Sequence, residues 1–260
     1  MKERIDVILV DRRLVESRTK AQWLITNGYV SVNGKKIIKP GKKVDNSLEI
    51  TLEKEFPYVS RGGLKLEAAL KYFSISVENK TCVDIGASVG GFTDCLLKNG
   101  ARKIYVIDKA TDLLHPSLRC EKIKGKIIPM LGVDARNVPN IIEEVDICTI
   151  DITFASLRTI LPNTKKFIKF NGDIIALIKP IFETEFRNIP KFKIIQDPQQ
   201  LYQILTDLNR WCLINQFFPC NIIKSPILGK EGSIEFFIHI KLEDLGLNND
   251  LNRLIKNVIL

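Results

Sequence analysis

Histidine is scarce in this chain: His115 and His239 are the only two in 260 residues. The six cysteines, Cys82, Cys95, Cys120, Cys148, Cys212 and Cys220, include no Cys-x-x-Cys pair. Together these absences exclude the common zinc frameworks, which need close pairs of such ligands, and no metal site is expected. Several cysteines fall within apolar runs, where the reduced thiol acts as a small hydrophobe. The setting they fit is reducing and cytoplasmic. Long apolar runs are also missing. The charged start Met1–Asp6 leads only to Val7-Ile-Leu-Val10, too short for the apolar region of a signal peptide. The run Ile174–Ile181 is interrupted by Lys179 and Pro180, so no segment reaches the length of a membrane span and no stable membrane association is expected. Acidic residues are in deficit, 30 against 39 Lys and Arg, for a formal net charge of +9. That balance points to polyanionic partners, nucleic acid first and an acidic membrane second.

The most informative stretch that is present is Thr81-Cys-Val-Asp-Ile-Gly-Ala-Ser-Val-Gly-Gly-Phe-Thr93. It reads as a short apolar strand, a glycine turn and the start of a helix. Gly86, Gly90 and Gly91 let the backbone fold closely under a ligand, with Asp84 at the strand's end and Ala87, Ser88 and Phe92 completing the turn. Such turns lie at the carboxyl edge of parallel sheets, where α/β proteins bind small cofactors. The spacing Asp-x-Gly-x-x-x-Gly-Gly is not the dinucleotide pattern, and suits a cofactor without a pyrophosphate.

Residues 4 to about 53 form a compact basic unit. The periodicity predicts a helix over Arg4–Leu14, with Ile5, Ile8 and Leu9 on one face. Ser17 caps a second helix, Arg18–Thr26, which Asn27-Gly28 ends. Tyr29–Val32 and Lys35–Ile38 read as a hairpin about Asn33-Gly34, and Ser47–Leu52 as a last short strand. Residues 54–60 read as a linker containing Pro57. After Arg61-Gly62-Gly63 comes an amphipathic helix, Leu64–Phe73. Strands are then expected at 81–85, 103–107, 126–130, 145–150 and 173–178, with helices at 92–99, 155–168 and 197–213. Two final strands, 216–223 and 233–240, form a closing hairpin. This alternation predicts a doubly wound, Rossmann-like α/β sheet with an antiparallel edge over 61–242, behind an α+β domain at 1–53. The tail 243–260 offers no more than a terminal helix.

Further strand ends carry carboxylates. Asp108 closes the strand after the glycine turn, roughly 20 positions on, where an acid typically holds ribose hydroxyls. Asp134 follows the next strand, placed to meet an adenine amino group, and Asp151 ends the fourth. An aspartate after a strand is also an ordinary turn-former and helix cap. Taken as a series with the glycine turn, they suit a ligand rich in hydroxyls and amines and bearing positive charge. S-adenosylmethionine, with its sulfonium and ammonium, matches.

Tyr58-Val-Ser-Arg-Gly-Gly-Leu-Lys-Leu-Glu-Ala-Ala69, the stretch Asp84–Leu97 and Leu177-Ile-Lys-Pro-Ile-Phe-Glu183 strongly resemble the TlyA or hemolysin A family. Residues 4–50, through Arg18-Thr-Lys-Ala21 and Gly28-Tyr-Val-Ser-Val-Asn-Gly34, look like the S4 RNA-binding domain that this family carries in front. The resemblance implies an S-adenosylmethionine-dependent, FtsJ-like ribosomal RNA 2′-O-methyltransferase acting on cytidine ribose. Its Lys-Asp-Lys-Glu tetrad carries over to Lys65, Asp151, Lys179 and Glu235. A 2′-hydroxyl holds its proton tightly. Lys179 would either take that proton as a neutral amine or stay charged and stabilise the developing alkoxide, with Asp151 and Glu235 orienting the amines. Amino methylation of a base fits less well, because Asp151-Ile-Thr-Phe154 lacks the prolines of that motif. Cys148, inside a strand, does not suit carbon methylation.

In the S4-like unit, Arg12, Arg13, Ser17, Arg18, Lys20, Lys35 and Lys36, with Arg61 beyond it, are the candidates for RNA phosphate. Trp23 and Tyr29 read as core. The expected partner is ribosomal RNA or a ribosomal subunit; the sequence assigns no oligomeric state. The chain departs from the family's pattern at Lys109–Pro116 and at Leu131-Gly-Val133, which flank the expected adenosine side. Two rival readings are a hemolysin-type membrane-active protein, for which no amphipathic basic helix or span is evident, and a catalytically idle RNA-binding assembly factor, against which the intact tetrad argues.

Overall fold

The computed structural model describes residues 2–139, 143–184, 194–246 and 248–259. The chain divides into two compact units, Met1–Arg61 and Gly62–Leu260.

In the first unit, helix α1 spans Ile5–Asp11, preceded by a strand β1, Lys2–Arg4, that the sequence pattern did not predict. The predicted helix over Arg4–Leu14 is therefore shorter at both ends. Arg4 has extended backbone, and Arg13 turns left-handed at φ 57°. Helix α2, Arg18–Thr26, starts at Ser17, whose side chain accepts from the Lys20 amide at 3.4 Å. Strands β2 (Val30–Val32) and β3 (Lys35–Lys36) pair antiparallel about Asn33 and Gly34, both at positive φ, the signature of a tight primed turn. Strand β4 (Lys43–Asp45) pairs with β1, and β5 (Ile50–Leu52) with β2. The core gathers Ile5, Ile8 and Leu9 of α1, Leu24 and Ile25 of α2, and Val30 and Val32 of β2. Trp23 packs its ring 5.7 Å from Tyr29 and 5.1 Å from Phe56, so both expected core aromatics serve packing.

The second unit is built on a seven-stranded sheet. Helix α3, Arg61–Phe73, opens it, followed by β6 (Thr81–Ile85), α4 (Gly91–Lys98), β7 (Lys103–Asp108) and β8 (Ile127–Leu131). Then come β9 (Val145–Ile150), α5 (Leu157–Thr164), β10 (Ile168–Ile178), a short α6 (Pro180–Glu183) and α7 (Pro198–Ile214). Strands β11 (Phe218–Lys224) and β12 (Phe236–Lys241) and helix α8 (Asn248–Ile259) close the chain. The strand order is β11-β12-β10-β9-β6-β7-β8, with β6 to β10 parallel and β11 and β12 antiparallel. Pro129 sits in β8, an edge strand, where its missing N–H removes no ladder bond on the open side. Strand order reverses between β6 and β9, and open α/β sheets bind ligands at such a switch point, beyond the carboxyl ends of the strands. The central parallel strands β6 and β9 are buried on both faces, which explains why apolar residues outnumber polar ones along them.

Several boundaries differ from the sequence reading: the helix expected at 155–168 is α5, Leu157–Thr164, because Phe167 and Ile168 already lead into β10, and the strand expected at 216–223 is β11, Phe218–Lys224. Strand β10 starts at Ile168 and passes an irregularity before Asp173, because Lys169, Asn171 and Gly172 interrupt the apolar pattern without ending the strand. Strand β12 starts at Phe236, so Glu235 precedes it rather than lying inside it. The residues after 242 are not a loose tail: Leu251 and Ile255 of α8 are buried in the main core.

Candidate active site

The strand register brings the rim residues together. Ile178 pairs with Phe236, which sets Lys179 and Glu235 side by side at the ends of β10 and β12. Ile150 pairs with Ala176 on one side and Ile85 on the other, so Asp151 leaves β9 between Lys179 and the glycine turn. Lys65 reaches the same rim from the buried face of α3.

Two lysine–carboxylate pairs form there. Lys65 Nζ donates to Glu235 Oε2 at 2.5 Å, a contact between residues 170 positions apart, and both side chains are nearly closed to solvent. Lys179 Nζ lies 2.6 Å from Asp151 Oδ1 and donates to the Ile152 carbonyl at 2.8 Å and to Thr153 Oγ1 at 3.2 Å. Lys179 Nζ therefore has two hydrogen-bond acceptors, with the Asp151 carboxylate as a close ion-pair neighbour. Asp151 Oδ1 is closed to solvent and has no aligned hydrogen-bond donor despite the adjacent ammonium. Lys179 also begins α6, where Pro180 occupies the first turn. Glu183 at the end of α6 accepts from the Leu157 amide at 2.7 Å and from Ser156 Oγ at 2.6 Å, tying α6 to the start of α5. Burial raises the Glu183 carboxyl above its ordinary range, against the bonds from Ser156 and Leu157.

The glycine turn is held by backbone. Gly86 N and Ala87 N donate to Ile107 O at 2.8 and 3.2 Å, and Asp151 N donates to Ile85 O at 2.9 Å. Gly86 has φ +83°, and a Cβ there would collide with the Asp151 carbonyl, so glycine is required twice over. Gly90 has φ +93°, and a Cβ there would meet Leu118 and, at 2.8 Å, Leu114. The segment 109–118 thus packs against the turn; His115 N also donates to Val89 O at 3.1 Å. Arg119 fixes this segment through the carbonyls of Leu114 and Asp112, both at 2.6 Å. Gly91 and Phe92 are buried at the start of α4.

The carboxylates of the series have different surroundings. Asp84 is fully buried inside β6, not at its end, and accepts from Thr93 Oγ1 at 2.6 Å and Thr149 Oγ1 at 3.0 Å. Burial pushes it up to about 6; the charge of Asp151 adds to this and the threonine bonds oppose it. Asp108 accepts from the amides of Ser88 at 2.6 Å and Ala110 at 2.7 Å, so it braces the turn. Asp134 is engaged by Arg136 at 2.6 Å, with Lys109 at 3.8 Å, and the Arg136 bonds hold it well below the usual carboxylate range. Asp84, Asp108 and Asp134, all expected to contact the cofactor, each have both carboxylate oxygens bonded within the protein.

One rim residue had no place in the sequence reading. Phe154 is 75% exposed, holds φ at +69°, and its ring centroid lies 5.6 Å from that of Phe182. Left-handed backbone at a bulky residue is unusual and concentrates at functional sites. The signal was present in Asp151-Ile-Thr-Phe154, an aromatic three positions beyond a strand-ending acid.

The basic candidates of the first unit are presented unequally. Arg18, with its side chain 56% exposed, donates to the buried carboxylate of Asp6 at 3.1 Å, which also receives Arg4 at 2.9 Å and Gln22 at 2.9 Å. Arg12 is bound to the carbonyls of Leu48 (3.0 Å) and Asn46. Lys20 pairs with Glu16 at 2.5 Å and Lys36 with Glu53 at 3.1 Å. Arg13 and Lys35 are exposed and make no ion pair among the described residues. Arg61 is half-buried at the first position of α3. Cys82, Cys95, Cys148 and Cys212 are buried and form no disulfide among the described residues, and Cys120 is exposed. Among the described residues, no helix is long and apolar enough to cross a membrane.

Comparison with known proteins agrees with this architecture. Residues 58–242 match the FtsJ-like methyltransferase family, and residues 3–50 match the S4 domain. The chain is 36% identical to hemolysin A of Brachyspira hyodysenteriae, covering 91% of this chain and 98% of that one. It is 32% identical to the 16S/23S rRNA (cytidine-2′-O)-methyltransferase TlyA of Mycobacterium tuberculosis (strain ATCC 25618 / H37Rv), covering 92% and 90%. A Streptococcus thermophilus structure carrying the name of a hemolysin superposes with a TM-score of 0.72 at 33% identity, covering 99% of this chain and 95% of that one. Relatives named for hemolysis and for rRNA methylation thus match the same two-part chain. The chain belongs to the FtsJ-like methyltransferase family, in the S4-bearing branch whose members are named TlyA and hemolysin A.

Proposed function

We propose that this chain transfers the methyl group of S-adenosylmethionine to a ribose 2′-hydroxyl of ribosomal RNA, on cytidine as the name of its mycobacterial relative states. The observation that carries the reading is the pairing of Lys179 with Asp151 and of Lys65 with Glu235 at one sheet rim, from separate elements.

The rim fits this methyl donor on two counts. Gly86 lets the glycine turn close against the Asp151 carbonyl at the strand ends, where α/β sheets bind ligands, and Asp151 Oδ1 is a buried acceptor without an aligned donor, suited to a cationic ligand. Gly86, Ala87, Ser88 and Asp108 would hold the donor from the glycine-turn side, with Asp84 and Asp134 shaping the walls through Thr93, Thr149 and Arg136. S-adenosylmethionine supplies a methyl group on a positively charged sulfur, reactive toward an oxygen nucleophile.

The chain's own residues do the rest. Lys179 Nζ lies against the Asp151 carboxylate and donates to the Ile152 carbonyl and to Thr153 Oγ1, the Thr153 contact being the longest. Exchanging that contact for the ribose oxygen places the Lys179 amine against the charge that develops on that oxygen as its proton passes to solvent water. Asp151 fixes the amine's direction, and the Lys65–Glu235 pair adds a second cation and anion beside it. The closed environment strengthens these interactions relative to water. Phe154, exposed on the same rim, offers a face on which the target base can stack once out of its helix. The S4-like unit supplies phosphate contacts through Arg13, Lys35 and the anchored Arg18. With a ribosomal substrate, the compartment this reading implies is the cytoplasm.

Replacing Lys179 with Met tests the reading. Methyl transfer to ribosomal RNA is expected to vanish while the donor still binds in calorimetry. Undiminished transfer by K179M would overturn it.

A further inference from the structure

Glu235 owes its place to a residue it does not resemble. The connection between β11 and β12 is pinned at both ends: Ser225 N donates to Glu235 O at 2.8 Å, and Gly229 N donates to Ser233 O at 2.9 Å. Between them Glu231 (φ 56°) and Gly232 (φ 83°) turn left-handed, bringing residue 229 back over the Glu235 side chain. At Gly229 a Cβ would fall into the Glu235 carboxylate, colliding with Oε1 and lying 2.7 Å from Cδ, and would also meet Ser233 Oγ. The φ of Gly229 lies outside the left-handed region, so backbone conformation does not demand glycine there. What demands it is the space taken by the Glu235 carboxylate together with Ser233 Oγ.

We propose that Gly229 is a positioning residue, whose missing side chain lets Glu235 lie within 2.5 Å of the buried Lys65. Because the loop is hydrogen-bonded on both sides, a methyl group at 229 must be relieved by the side chains, and the Glu235 carboxylate is the nearest group able to move. Its displacement would leave Lys65, itself 8% exposed, as a buried ammonium without its acid. The backbone conformation allows alanine, so the substitution acts on the carboxylate rather than on the fold. This inference rests on the methyltransferase reading for its consequence in catalysis, but not for its geometry.

The test is Gly229→Ala in the full chain, with two independent readouts. In a crystal structure of the variant, the Glu235 carboxylate is expected to have swung away from Lys65; an unmoved pair would overturn the proposal. In methyl transfer to ribosomal RNA, kcat is expected to fall about 100-fold, the scale of a misplaced catalytic group, with the donor KM changed less than about twofold. Shortening the acid by one methylene makes room for the methyl group. The double variant G229A/E235D should therefore recover about tenfold over G229A although E235D alone is impaired. A G229A enzyme at wild-type speed, or a double variant no faster than G229A, would contradict the proposal. Should G229A fail to fold, G229A/S233A/E235A compared with S233A/E235A and G229A/S233A compared with S233A decide: a loss of thermal stability in the second pair that is absent from the first supports the carboxylate as the obstacle, and equal losses in both pairs refute it. A wild-type protein that methylates no ribosomal RNA would sink the functional reading alone, leaving the crystal structure to judge Gly229.

Discussion

At the scale of single residues, the rim separates side chains that lie at the strand ends from side chains held inside the sheet. Spacing alone treats Asp84, Asp108, Asp134 and Asp151 alike, as acids at strand ends. The fold assigns Asp84 to the interior, between Thr93 and Thr149, and commits Asp134 to Arg136. Periodicity could not reveal this, because both outcomes use an aspartate near a strand's carboxyl end. Nor could it pair Lys65 with Glu235, which meet only through tertiary structure; there the family resemblance supplied what spacing lacked. Asp84 carries a measurable consequence. Its folded value, about 6, lies above the ordinary aspartate range, so the folded chain binds the extra proton between about pH 4 and 6. Its contribution to stability is therefore lost as pH rises through that window, by up to about 3 kcal/mol. Asp84→Asn removes the titration. Urea unfolding of both proteins across pH 4–7 should show the variant gaining stability relative to wild type as pH rises; parallel profiles would contradict this.

Elements were most legible where one physical signal dominated. The buried strands β6, β7 and β9 announced themselves by β-branched runs, and the β2–β3 hairpin by Asn33-Gly34. Elements whose residues serve two demands were misread. The first half of β10 carries Lys169, which pairs with Asp146 at 2.7 Å, and that polar duty hid the strand. Strands β1 and β4, three residues each, are too short for alternation to register. Helix α8 lies beyond the residues that match the methyltransferase family, yet Leu251 is wholly buried in the main core, and Lys256 lies 5.7 Å over the Tyr202 ring. The helix is part of the fold. Leu251→Ala is expected to cost about 2–4 kcal/mol in chemical denaturation, as for other fully buried leucines. A loss below about 0.5 kcal/mol, typical of surface sites, would make α8 an appendage.

For the molecule as a whole, the charge of +9 has a place to act. Arg13 and Lys35 stand exposed in the S4-like unit, while Arg4 and Arg18 are held by the buried Asp6. Affinity for ribosomal RNA should fall steeply as salt rises. The variant R13E/K35E should bind more weakly, with a salt slope reduced by about 2, and donor affinity unchanged. Salt-independent binding would remove RNA backbone from the account.

The central claim is that the paired lysines and acids at the β9–β10–β12 rim direct a methyl group onto a ribose oxygen. The most direct measurement incubates ribosomal subunits with the protein and isotopically labelled S-adenosylmethionine, then locates the label in the ribosomal RNA by mass spectrometry. The account predicts label on a ribose 2′-oxygen with the wild-type protein and none with K179M. Label on a base, or equal labelling by both proteins, would contradict it.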